Sequence, residues 1–287
     1  MLRTWLLSFL LAIAATASAS AGVIDRSQVE STMLVNGFIT IDTNGLVAGH
    51  EIDTNANLSP ELAAFVNKSM ERWRFEPVVV DGRVVRARVP MYLRLVAKPA
   101  GDGQYTIRIA STWFGAHTGT DTGTTQAVRG APTVTRMVPP KYPRGAMNRG
   151  GKGTVYLRVT FGPDGKVTQA YASQVNLRVL GTPGQMQELR RQFAEASLAA
   201  ARQWEFAPPT SGDDAGKSEW SVMVPVTYIL GRETPPKPGE WDSYVPGPMM
   251  GPSGEILPQT AASPDALPDS GVFSAEQGAR LLTPPSA

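Results

Sequence analysis

The side chains best suited to chemistry are few in this chain, and their spacing does not support a catalytic centre. There are two histidines and no cysteine in 287 residues. His50 stands beside Glu51, but an acid–base pair needs a nucleophile or a metal within reach, and the alternation around it reads as a solvent-facing strand. His117 with Asp121 or Asp102 offers the residue types of a metal site or a triad. It falls in a Gly/Thr-rich stretch, residues 115–125, that reads as a mobile loop, a poor support for a preorganised site. Gly150-Gly151-Lys152-Gly153 has the composition of a phosphate cradle but precedes a strand, whereas such cradles open a helix; it reads as a turn into a sheet. No hydrolase nucleophile elbow, zinc-protease helix, phosphate loop or calcium loop occurs. The missing cysteine excludes disulfides, thiolate zinc sites, thioether haem and a thiol nucleophile. The expectation is a protein that is not an enzyme, with no catalytic, cofactor or metal residues.

What remains is recognition by backbone and shape. With 27 bases against 25 acids the net charge is +2, and no basic run marks a nucleic-acid surface. Residues 1–21 carry Arg3, an apolar run over residues 5–15 and small-x-small sites at Ala17-Ser18-Ala19 and Ala19-Ser20-Ala21. That run is too short for a span of about 20 residues, so it reads as a cleaved secretory signal; the alternative is an inner-membrane signal anchor. The mature chain, with no other stretch of spanning length, is expected in the periplasm.

The elements form a repeat. Residues 155–161 alternate apolar and polar, the period of a half-buried strand. Pro163-Asp164-Gly165 signals a hairpin, and residues 166–173 resume a strand. Met186, Leu189, Phe193, Ala196, Ala200 and Trp204 share one face of a helix over about residues 185–203, which ends before Pro208. Residues 220–230 form a closing strand. The first part shows the same order: strand 38–41, turn 42–45, strand 47–52, a helix opened by Ser59-Pro60-Glu61, a hairpin through Asp81-Gly82 and a closing strand 89–95. Asn44-Gly45 matches Asp164-Gly165, Trp73-x-Phe75-x-Pro77 matches Trp204-x-Phe206-x-Pro208, and Val89-Pro90 matches Val224-Pro225. The spacing from Gly to Trp is 28 in one copy and 39 in the other. Two units, each a small antiparallel sheet with one packed helix, define an α+β fold. The tryptophans and phenylalanines of the repeated motif are expected to staple helix end to sheet.

The second unit resembles the C-terminal domain of TonB-family energy transducers. The resemblance rests on Tyr142-Pro143, Ala146, Gly150-x-x-Gly153, the strand from Val155, Asp164-Gly165-x-Val167, Trp204-x-Phe206-x-Pro208 and Val224-Pro225-Val226. The first unit is a degenerate copy without the Tyr-Pro lead-in. The resemblance implies a binding module that holds an extended segment of an outer-membrane receptor against a sheet edge, the physics of β-augmentation. The partner-binding residues it implies are Tyr142 and Pro143 in the lead-in and Val222, Val224, Val226, Thr227 and Tyr228 on the closing strand. Partners so implied are a TonB-dependent receptor peptide or another envelope protein, with homo-oligomers by strand pairing as a further possibility. Where TonB carries an anchor and a Pro-rich spacer, this chain has a short signal and a second folded unit. The alternative is an envelope scaffold or cell-wall-associated binding protein without energy coupling.

The boundaries read as signal 1–21, degenerate unit 22–112, Gly/Thr-rich linker 113–137, second unit 138–231 and tail 232–287. The tail holds 11 Pro in 56 residues and no sustained period, and is expected to be largely disordered.

Overall fold

The computed structural model describes residues 24–56, 58–102, 104–115, 132–212, 214–258, 263–276 and 278–286. The signal at 1–21, His117 and Asp121 lie outside these residues. The fold is mixed α+β, with antiparallel sheets and three α-helices among the described residues.

In the first unit, β1 (Glu30–Ile41) and β2 (Val47–Ile52) form the opening hairpin. Helix α1 (Pro60–Met70) follows, capped by the Ser59 hydroxyl with Pro60 in its first turn. A short hairpin, β3 (Val79–Val80) and β4 (Arg83–Val84), leads to β5 (Ala87–Gly101) and β6 (Gln104–Phe114). The sheet runs β2–β1–β5–β6. Val35, Ile39, Met91 and Leu93 face Leu62, Val66 and Met70 of α1 across the core.

The second unit repeats this. After β7 (Thr133–Arg136) and the short α2 (Arg144–Asn148) come β8 (Gly153–Phe161), β9 (Val167–Leu177), α3 (Pro183–Ala201), β10 (Glu205–Ala207) and β11 (Trp220–Tyr228). Helix α3 opens on a capping box, in which Thr182 and Gln185 each satisfy the other's backbone N–H. Met186, Leu189, Phe193 and Ala200 pack on Val155, Leu157, Val159 and Val224. Trp73, Phe75, Trp204 and Phe206 are all buried, so the repeated aromatic motif is core.

The copies match at the level of single hydrogen bonds. Phe75 N–H donates to Gly45 O at 2.8 Å, and Phe206 N–H donates to Gly165 O at 2.9 Å. One sequence match is out of register. Ile41 pairs with Ala87, and its counterpart Phe161 pairs with Trp220. Val89 is therefore level with Val222, and Val89-Pro90 does not superpose on Val224-Pro225. A two-residue slip leaves every side chain on its original face, so the apolar pattern cannot detect it.

The tail corrects the expectation of loose chain. β12 (Trp241–Tyr244) pairs with the start of β1, and the next residue, Val245, bridges Leu177 at the end of β9. A small hairpin follows, β13 (Met249–Met250) with β14 (Ile256–Leu257). Ala266 and Leu267 are then buried among Trp113, Tyr156 and Met223, from the helix-free faces of both sheets. β15 (Phe273–Ser274) adds to β11, and residues 280–286 return to the first unit, where Leu281 bridges Phe75. The layers are thus helix, sheet, sheet, helix, with tail chain between the sheets. An extended strap touches a different surface at each residue, so it carries no period for the sequence to reveal. The expected linker 113–137 is also shortened, since Phe114 belongs to β6 and Thr133–Arg136 is β7.

Candidate binding edge of the second unit

Burial decides what each implied binding residue can do. Val222, Val224 and Tyr228 are buried in the core beneath α3, and Val226 packs against it. Tyr142 lies edge-on to Phe193 and Tyr228, with centroids 5.9 and 5.4 Å away, and its hydroxyl donates to Gly151 O. Burial raises the phenol pKa of Tyr142, with Glu233 adding to the shift; burial also pushes Tyr228 up to about 12. Pro143 is the N-cap of α2. Thr227 Oγ1 donates to Asp269 O at 2.7 Å. The lead-in and the closing strand therefore come together, but mainly through their own packing.

The backbone of β11 has two edges. Ala275 N–H donates to Ser221 O at 3.1 Å, so the amide groups of Ser221 point to the outer edge. Because successive residues alternate, Met223, Pro225 and Thr227 also present their backbone outward, and Val222, Val224, Val226 and Tyr228 present theirs to β8. Pro225 therefore breaks no bond to β8; it removes one outer donor, a common device for blunting an edge.

The tail pairs with the outer edge only at its start, where Val222 pairs with Ser274 and Met223 with Phe273, and it stays beside the edge as far as Asp269, whose carbonyl accepts from the Thr227 hydroxyl. Beyond the paired residues lies a groove of about 570 Å³, lined by Val224, Pro225 and Val226, by Ser270, Gly271 and Val272, and by lead-in residues 137–140. In the first unit the equivalent residues are Met91, Tyr92 and Leu93, and there β6 lies alongside, with Phe114, Trp113 and Thr112 as partners. The same edge is thus a paired strand in one copy and a groove in the other.

Two aspartates hold the tail. Asp269 takes both its oxygens to Arg178 Nη2, at 2.9 and 2.8 Å, and one to Thr154. The Arg178 Nε reaches Asp242 at 2.7 Å. Buried Asp265 accepts from Ser111 and from Tyr244, and its carbonyl accepts from buried Arg94 at 2.7 Å. Nothing in the sequence marked these residues, because their partners lie 91 and 171 positions away.

The other candidates are bland. His50 Nε2 meets Asn67 Oδ1 at 2.9 Å, and Glu51 pairs with exposed Arg88. Asp102 sits in a turn with φ +49°, and residues 149–150 form the turn before β8. Among the described residues no group of three or more His, Asp or Glu could hold a metal ion, and no helix is long and apolar enough to cross a membrane. Compared with protein-family models, with curated proteins and with solved structures, the chain matches none of them.

Proposed function

We propose that the chain is a periplasmic protein-binding module of two units resembling the TonB C-terminal domain, and that the second takes an extended segment of an outer-membrane transport receptor by strand addition to β11. The observation that carries this reading is the groove beside residues 224–226. Its counterpart in the first unit already holds a strand, β6, with the backbone pairing an incoming segment would make. Pro225 offers only a carbonyl, so the incoming strand depends on the N–H of Thr227 and on apolar contacts with Met137, Val138 and the lead-in prolines.

A second reading, an envelope scaffold without energy coupling, is favoured by β15, which already sits on part of this edge. Strand substitutions separate the two. Thr227→Pro removes an outward N–H together with the hydroxyl that meets Asp269 O, and leaves the backbone ladder to β8 intact. It should keep the circular dichroism of the full chain and weaken receptor-peptide binding about tenfold or more, whereas Thr227→Ser should bind normally. Val226→Pro cuts an inward bond and should unfold the unit. A folded Thr227→Pro chain that binds at wild-type affinity rules out this edge. No receptor-peptide binding by the wild type selects the scaffold reading.

A further inference from the structure

A second groove, about 630 Å³, lies on the first unit between the start of α1 and the sheet. Leu62, Phe65 and Ile107 line it, with Ser31 and Glu61 also in its wall. Two large rings stand exposed at its side, Tyr105 at 61% and Trp241 at 44%. Exposed aromatics grouped around an apolar hollow mark a contact surface.

The internal repeat says what such a hollow accepts. With Gly45 matched to Gly165, Ser31 is the counterpart of Gly151; with Trp73 matched to Trp204, Glu61 and Leu62 are the counterparts of Gln192 and Phe193. In the second unit these positions form the seat of the lead-in. Tyr142 packs on Phe193 and donates to Gly151 O, and Gly145 of α2 lies so close to Gln192 that a Cβ would come within 2.8 Å of it. The course leading to the seat is duplicated too. Trp204 Nε1 donates to Val138 O at 2.8 Å, four residues before Tyr142, and Trp73 Nε1 donates to Pro285 O at 3.1 Å. The tail thus takes the place of β7 in the first unit. Then Ser286 Oγ accepts from Ile109 N–H, and among the described residues none occupies the seat as Tyr142 does.

We propose that this groove docks a segment of a partner protein that presents a tyrosine, followed by proline and a short helical turn with a small residue, in the manner of residues 142–148 of this chain. The tyrosine ring enters over Leu62 beside Trp241. Glu61, where the second unit has neutral Gln192, favours basic residues flanking the tyrosine, as Lys141 and Arg144 flank Tyr142. Its own backbone N–H and the Ser59 hydroxyl hold the Glu61 carboxyl below the usual range, so it is anionic at neutral pH. This inference does not rest on strand addition at β11.

The probe is a labelled synthetic peptide of residues 138–149, titrated into the full chain and followed by fluorescence anisotropy. Saturable binding is expected, weakened about tenfold by Tyr→Ala in the peptide and about threefold, with reduced salt dependence, by Glu61→Gln in the chain. Trp241→Ala, at an exposed ring, should weaken binding without altering the fold. A photoreactive phenylalanine in place of the peptide tyrosine should label residues 59–65, 105–107 or 241. Labelling at 189–193 or 228, which would mean exchange with the chain's own lead-in, overturns the proposal. So does absence of saturable binding, or affinity indifferent to the peptide tyrosine.

Discussion

Two glycines show how narrowly single residues are constrained. Gly45 and Gly165 have φ of +78° and +77°, and a Cβ would lie 2.1 Å from Phe75 O in one and 2.0 Å from Phe206 O in the other. Both turn geometry and backbone contact therefore require glycine. Gly82 has φ +73° but nothing within 4 Å. Gly165→Ala should cost about 2–4 kcal/mol, and Gly82→Ala about 1 kcal/mol, measured by urea denaturation; equal costs would mean that the backbone contact is unimportant. Tyr92 supplies a pH signature. Burial pushes its phenol up to about 12 from 10, so the folded state keeps a proton that the unfolded chain releases first. Its contribution is fully present below pH 10 and is lost as pH rises towards 12. Alkaline unfolding followed from pH 9 to 12 should be shallower in Tyr92→Phe than in wild type.

At the scale of elements, the strap from residue 241 to 286 is tied by few, strong contacts. Asp269 accepts from Arg178 and Thr154 across the β8–β9 hairpin and the tail. Hydrogen bonds to charged groups contribute about 1.5–3 kcal/mol each when one partner is lost, and Arg178 keeps Asp242. Asp269→Asn should therefore destabilise the protein by about 2 kcal/mol and speed proteolysis within residues 263–276 while leaving the helical circular dichroism unchanged. Cleavage at the wild-type rate would show that β15 and the buried Leu267 suffice to hold the strap.

For the whole molecule, the two sheets are covered on both faces, by a helix on one side and by the other unit and the tail on the other. Trp113, Tyr156, Met223 and Phe273 meet in that middle layer. A chain cut to residues 24–231 exposes these side chains and the helix-free sheet faces. It should lose thermal stability, bind a hydrophobic dye and associate, and the intact protein should unfold in a single transition. Two separate transitions in the intact protein would mean that the units fold independently and that the strap is an accessory.

The sequence alone determined what depends on near neighbours. The hairpin at Gly165, the cap at Ser59, the helical face from Met186 to Trp204 and the Trp-x-Phe-x-Pro staple all obey rules that act over a few residues. Only the tertiary structure decided the rest. The level of Val89 with Val222 escapes a pattern of period two. The groove beside Pro225 depends on where the lead-in residues 137–140 and the tail residues 270–272 lie, not on the residues of β11 alone. The strap has no periodicity because each of its anchors answers a different surface, and Trp73 finds its acceptor 212 residues away, at Pro285. Local patterns cannot encode such a partner; it is chosen by the space that the two packed units leave between and beside them.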